Sequence, residues 1–300
     1  MKQPNWKNGQ RLLPEHFRAS ESALMQTAQA TEVLQGKGGH GFAEMMINAS
    51  MLESGVLQFS SLKLIGQMGR FFSLNDNLIS VPCQLDAVAE GAAKLSLYLV
   101  EGNPKAVELN GQQIETIQYK AVLDTVAPEG VISSLPCVDV SQKPNGEWEV
   151  KTHPKMPLLS FKNNYFWPRY KREVESLVVC VEKRIQDDQM GNLSPSKYMM
   201  SQDMMSHCYQ LTQCLHTVEL GGDASPQTLF ATLYRFYIAC VMYSDDVPVT
   251  DLVYVHQKGI ESLDKIIRAI NVMIRYEVQA HSVLPFEQNE RYVTIEKIPK

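Results

Sequence analysis

The side chains best suited to chemistry are two imidazole and thiol pairs, His207-Cys208 and Cys214-x-His216. Thiolates and imidazoles are zinc ligands. A zinc centre needs four of them to converge, commonly from Cys-x2-Cys or His-x3-His spacing. Here both pairs fall within one stretch of helical character. On a helix His207 and Cys214 share a face, whereas Cys208 and His216 turn away from it. The spacing favours packed cysteines with histidines at the helix edge, and no metal is expected.

Catalysis by other routes finds little support. Asp187-Asp188 and Asp245-Asp246 are paired carboxylates at helix ends in polar surroundings, where they read as solvated faces or caps. No Gly-x-Ser-x-Gly elbow is present, so a hydrolase-type nucleophile has no setting. Glu15-His16, near Trp6, has the types of an acid/base pair, but adjacent side chains seldom point the same way and no nucleophile is close. The glycine-rich run Gly36-Lys-Gly38-Gly39-His40-Gly41 lacks the Ser or Thr that follows the lysine of a phosphate loop, and helical sequence precedes it. It reads as a plain loop. No catalytic residue, metal or cofactor is assigned, and the chain is expected not to be an enzyme.

The elements that carry these residues change character along the chain. A short helix is predicted within residues 14 to 35, where Ala, Gln, Glu and Leu dominate from Ala19 to Gln35. Strands are predicted over Phe42–Met51, Val56–Ile65, Leu78–Val81, Lys94–Val100, Thr116–Leu123 and Trp148–Thr152, from alternation and β-branched content. Turn residues separate them, among them the hairpin pairs Asn110-Gly111 and Asn145-Gly146. An antiparallel β-sandwich or barrel follows. A proline- and aromatic-rich stretch from 154 to 168 is expected to pack between two domains.

Four helices are then predicted: Arg169–Gln189, Pro195–Leu220, one from Pro226 to about Ser244, and one from about Tyr254 to Val278. The first carries Val174, Leu177, Val178, Val181 and Ile185 on one face. The last carries Ile260, Leu263, Ile266, Ile267, Ile270, Met273 and Ile274. Short loops join the four, so they form a bundle. Met199-Met200 and Met204-Met205 repeat at helical spacing and are read as core filling, with an interaction face as the second use of soft Met side chains. The fold class is therefore α+β, an N-terminal antiparallel β-sandwich followed by a four-helix bundle. Its domains are 1–160 and 161–282, with residues 283–300 opening a further piece at the strand-like Tyr292-Val-Thr-Ile295.

Composition excludes several function classes. The 300 residues are 44% hydrophobic and 20% charged, enough for packed cores. A net charge of −5 with no basic cluster argues against nucleic-acid binding. No apolar run approaches the ~20 residues of a membrane span, and no secretory signal opens the chain. The six cysteines are scattered among apolar residues, which suits buried thiols in a reducing cytoplasm.

The first seventeen residues stand out. Trp6, Gly9, Leu12, Pro14, His16 and Phe17 concentrate large apolar and turn-forming groups ahead of any periodic element. A chain start is usually loose unless tied down, so this one is expected to dock, on a partner or on its own domain. The pattern Trp6-x-x-Gly9-x-x-Leu12-x-Pro14-x-His16-Phe17 resembles the opening of the TssK family, baseplate subunits of the bacterial type VI secretion system; Glu15 stands where that family usually has Gln. The stretch from Leu57 to Pro82, with Gly66 and an aromatic before a polar turn, is similar to the same family. So are Ser225-Pro226-x-x-Leu229-Phe230-x-x-Leu233, with Ser225 for the usual His, and Tyr254-x-His256, with Val255 for the usual Asp.

The resemblance implies a β-sandwich shoulder, a helical neck and a C-terminal head, of which this chain holds only the start. It implies a cytoplasmic, non-enzymatic homotrimer that links the wedge subunits TssF and TssG to cytoplasmic parts of the membrane complex. The head makes the last contact in the family, and these residues lack most of it. Trp6, Gly9, Leu12, Pro14, His16 and Phe17 are the residues expected to bind the wedge, folding back onto the sandwich being their other use. An adaptor of a phage or phage-derived contractile particle is the alternative function.

Overall fold

The structure is a computed structural model that describes residues 13–18, 20, 21, 24, 39–67, 69–74, 76–109, 112–191, 193–222, 225–244 and 248–274. It divides into two compact units. The first comprises residues 1–167, 223–227 and 254–261, and the second residues 168–222, 228–253 and 262–300. The fold class is α+β, with sheets in the N-terminal part and helices in the C-terminal part.

The first unit is a sandwich of two principal sheets. One has the order β1 (Gly41–Ile47), β3 (Phe59–Ile65), β4 (Phe71–Ser73). The other runs β12 (Trp148–Thr152), β11 (Val131–Gln142), β7 (Ala92–Glu101), β10 (Tyr119–Asp124), β5 (Leu78–Ser80). Pairing is antiparallel except between β10 and β5, a parallel edge that the sequence does not reveal. Two short strands, β2 (Val56–Leu57) and β6 (Cys83–Gln84), pair with each other, and a ribbon of β8 (Lys105–Leu109) and β9 (Gln112–Thr116) forms a separate two-stranded sheet. The ribbon closes with Leu109 opposite Gln112, the residues flanking Asn110-Gly111.

The two large sheets meet through buried side chains. Met45 of β1 lies 3.8 Å, sulfur to sulfur, from Cys137 of β11. Phe72 of β4 packs edge-on against Tyr119 of β10, ring centroids 5.0 Å apart. Bulges set which residues reach this core. Between β1 and β3 the register slips between Met46 and Ile47, so that Phe59 and Leu62 both point inward although they are three apart.

Among the departures from the sequence reading are two short helices and the longest strand. The first strand stops at Ile47, because Asn48 accepts the Met51 N–H at 3.4 Å and caps a short helix, α1 (Ala49–Glu53). A second short helix, α2 (Leu85–Val88), follows β6. The longest strand, β11, is absent from the predicted set because Pro136 interrupts it. Proline removes a ladder donor and normally demotes a strand to an edge. Here β12 covers β11 only from Val138 to Gln142, so Pro136 lies where that flank needs no partner, beside a bulge.

The apolar stretch from 154 to 168 runs along β1. Phe42 N–H donates to Pro157 O at 2.9 Å, Leu159 N–H to Phe42 O at 2.8 Å and Tyr165 N–H to Met45 O at 2.8 Å. Met156, Leu158, Phe161 and Phe166 are buried. Gly41 opens β1 at a φ of +139°, and a Cβ there would lie 2.3 Å from Pro157 O. Only glycine admits that backbone and that approach.

The second unit is built on α3 (Trp167–Met190), α4 (Pro195–Glu219), α5 (Pro226–Ser244) and α6 (259–274). The first residue of α3, the first two of α5 and the first three of α6 are counted in the first unit. The face expected on α3 is buried throughout, from Val174 to Ile185, as is that of α6 from Ile260 to Met273. Ser201, Met204, Cys208, Leu211, Leu215 and Val218 of α4 are buried at alternating spacings of three and four, a coiled-coil seam. Ser194 caps α4 by accepting Lys197 N–H, and Pro195 follows at the first position. Of the four methionines expected to fill the core, only Met204 does; Met199 is exposed and Met200 and Met205 are half-buried. The continuation of α6 to Val278 and the strand-like piece from Tyr292 lie outside the described residues.

Candidate partner-binding surfaces

Among the described residues, the chemistry-bearing side chains do not assemble into a reactive centre. His207 faces Asp203 at 3.9 Å and His216 faces Glu219 at 3.7 Å, each on its own turn of α4. Cys208 is fully buried between them, and burial pushes its thiol up to about 12, so it stays protonated. Burial likewise holds Cys83 up at about 11 and raises Cys137 further. Thiols so disposed are packing groups rather than nucleophiles. Among the described residues no three His, Cys, Asp or Glu side chains gather closely enough to hold a metal ion. Among them too, no helix is long and apolar enough to cross a membrane.

Asp188 departs from the simple solvated reading. It accepts the Tyr243 hydroxyl at 2.7 Å and Arg184 Nε at 2.9 Å, while Lys197 Nζ donates to the Tyr243 carbonyl. This network joins α3, α4 and α5 at one end of the bundle. Its sequence signal was Tyr243 at the end of the apolar run of α5, a hydroxyl that needs a partner when buried. Asp187 is exposed, and Asp245-Asp246 lies outside the described residues.

Of the six residues expected to bind a partner, Trp6, Gly9 and Leu12 lie outside the described residues. Pro14, His16 and Phe17 share a helical turn at 14–18. Leu13 N–H donates to His16 Nδ1 at 3.2 Å and His16 N–H donates back to Leu13 O at 3.0 Å. The reciprocal pair satisfies two backbone N–H groups at the helix start. Leu13 and Phe17, four apart on this turn, are both exposed.

Exposed apolar groups that the sequence reading passed over lie on the sandwich rim. Phe71 of β4, Ile79 of β5 and Ile117 before β10 are each about half exposed. Asn77 ties this rim together, accepting Ser73 N–H at 2.9 Å and donating to Phe71 O at 3.0 Å. The signal was present as apolar doublets, Phe71-Phe72 and Leu78-Ile79. In a strand only one member of such a doublet can face the core.

In the helical unit, the outer face of α4 is low in charge. Tyr198, Met199, Gln202, Ser206, Tyr209, Gln210 and Gln213 are exposed there, and only Lys197, Asp203 and Glu219 of the helix carry formal charge. Tyr and Met enrichment with charge depletion is the composition of interface cores.

The molecule is thus an α+β chain with exposed apolar faces and no assembled reactive centre among its described residues. Its architecture is that of TssK. A chain of the cryo-electron microscopy structure of the type VI secretion system TssK-TssF-TssG baseplate subcomplex superposes with a TM-score of 0.69 at 16% identity, over 92% of this chain and 100% of that one. A chain of the type VI baseplate complex gives 0.66 at 15%, over 91% and 99%. A crystal structure of TssK gives 0.65 at 16%, over 91% of this chain and 69% of that one. No protein-family model and no curated protein matches the sequence.

Proposed function

We propose that this chain is a structural subunit of a type VI secretion baseplate, working in the cytoplasm as a homotrimeric adaptor that holds the wedge subunits TssF and TssG. The observation that carries this reading is the superposition of nearly the whole chain on all of a chain from a TssK-TssF-TssG subcomplex. The exposed apolar faces supply what such a part requires. An assembly subunit acts through large, specific contacts with aromatic anchors, and needs no reactive centre. On this reading residues 1–160 are the shoulder, 161–282 the neck, and 283 onward the start of a head directed at the membrane complex. Trp6, Gly9, Leu12, Pro14, His16 and Phe17 attach the wedge, and the low-charge face of α4 meets its symmetry mates.

Co-expression with TssF and TssG followed by affinity purification tests the partnership. Stable co-purification is expected, and light scattering should give the chain alone a mass three times its 33.8 kDa. A monomer at micromolar concentration that leaves both wedge proteins behind would overturn the proposal. Deleting residues 1–17 separates the two uses of the start: loss of the wedge from an intact trimer identifies attachment, while collapse of the β unit identifies folding back.

A further inference from the structure

One cavity opens within the helical unit, at the end where α3, α5 and the described part of α6 finish and α4 begins. Its volume is about 280 Å³. All four helices line it: Val181 and Lys183 from α3, Met204 from α4, Cys240 from α5, and Met273 from α6 are among its walls. The lining is mainly apolar, and two of these walls are methionines, whose unbranched thioethers adapt to different shapes. Met190, Met199 and Met242 are exposed at the same end. The volume is about twice the ~150 Å³ that accepts one benzene ring, enough for two side chains.

The rim carries an unmatched pair of charges. Arg184 is engaged by Asp188. Among the described residues, Lys183 has no carboxylate and Asp187 no cation within ion-pairing distance. These two lie four residues apart on α3 and line the cavity together, so one turn of α3 presents both signs of charge at the rim.

We propose that this pocket docks an amphipathic helix of a partner protein. The helix inserts two bulky apolar side chains, four residues apart, between Met204 and Met273 and sets a carboxylate against Lys183 and a cation against Asp187. The mode is that of a helix laid in a groove. The inference stands on the helical unit alone and does not require the baseplate reading.

The probe is an acetylated, amidated, fluorescently labelled helical peptide of Ala, Glu and Lys that carries Phe and Leu four residues apart, with a Glu and a Lys flanking them. Binding to the full chain is read by anisotropy, with the 222 nm ellipticity as the check of folding. Saturable binding is expected, at least about tenfold weaker to Met204→Trp, which fills the cavity. Lys183→Glu should weaken it severalfold, and a peptide with its Glu replaced by Lys should recover that loss. No binding to the native chain would overturn the proposal, as would equal binding to Met204→Trp, or a Lys183→Glu loss that the altered peptide does not recover. Should Met204→Trp fail to fold, the surface charge reversal and its recovery decide alone. Displacement of anilinonaphthalene sulfonate from the native chain adds a second readout: a dye that binds and is not displaced marks a small-molecule pocket and overturns helix docking.

Discussion

The two units keep their interiors closed by different means. In the β unit, whose sheets meet through buried side chains, the tightest approaches are made by bare backbone at glycines. Gly41 passes against the Pro157 carbonyl, and Gly66 lies where a Cβ would stand 2.9 Å from the Phe72 ring. In the helical unit, side chains meet side chains along seams such as Ser201 to Val218, and polar contacts lock particular points. Tyr170 donates to Asp264 at 3.0 Å, and Tyr243 to Asp188 at 2.7 Å. A sheet unit of this kind tolerates change poorly at a few backbone positions. A bundle spreads its dependence over many side chains, each of moderate weight.

That contrast can be broken by single substitutions, because the units have separate optical reporters. All three tryptophans, Trp6, Trp148 and Trp167, are counted in the β unit, whereas most of the long helices lie in the other. Tryptophan emission therefore follows the first unit and 222 nm ellipticity mainly the second. Gly41→Ala should have the largest effect. It forces a side chain onto a φ of +139° and into a carbonyl, and should cost more than about 4 kcal/mol in denaturant unfolding. A loss below about 1 kcal/mol would show that the β1 contact yields easily.

Leu263→Ala, at a fully buried position of α6, should cost about 3 kcal/mol through the cavity it leaves. The ellipticity transition should move and the tryptophan transition should follow it less. Coincident shifts of equal size would mean that the two units unfold as one. Tyr243→Phe removes one hydroxyl from Asp188 but leaves Arg184 in place, so roughly 1–2 kcal/mol is expected. An unchanged midpoint would show that the network adds nothing to the seam.

The smallest effect is a divergence with pH. Burial and the nearby His256 lower the pKa of His40, and burial lowers that of His153 against the opposing pull of Asp139. A histidine whose folded pKa is depressed lends stability that is present above its unfolded value of 6.5 and lost as pH falls. Burial raises Asp264, only partly offset by the Tyr170 hydroxyl. A carboxyl so raised favours the fold below its unfolded value of 3.8, and that contribution is lost as pH rises through its folded value. Between pH 7 and 5 the Tm read by tryptophan should fall. Between pH 6 and 4 Asp264 should push the helical Tm the other way. Asp139, also raised by burial, opposes part of the first trend at its acid end. His40→Asn should flatten the tryptophan profile and Asp264→Asn the ellipticity profile; profiles that keep their slopes in these variants would remove the assignments.

What the sequence alone determined was whatever a local period or a turn residue encodes. The apolar faces of α3 and α6 were readable because a helix repeats its buried positions every three or four residues regardless of its neighbours. The proline start of α4 was readable for the same local reason. Residues 13–18 illustrate the boundary: the types in this segment marked it, but the mutual bond between Leu13 and His16 is a matter of geometry. Only the tertiary structure decided the parallel β5–β10 edge, the place of Pro136 inside the longest strand, the partners of Asp188 and the cavity beside Lys183. Each depends on which distant segment lies alongside. No local pattern encodes that, because it is settled by the packing of the whole chain.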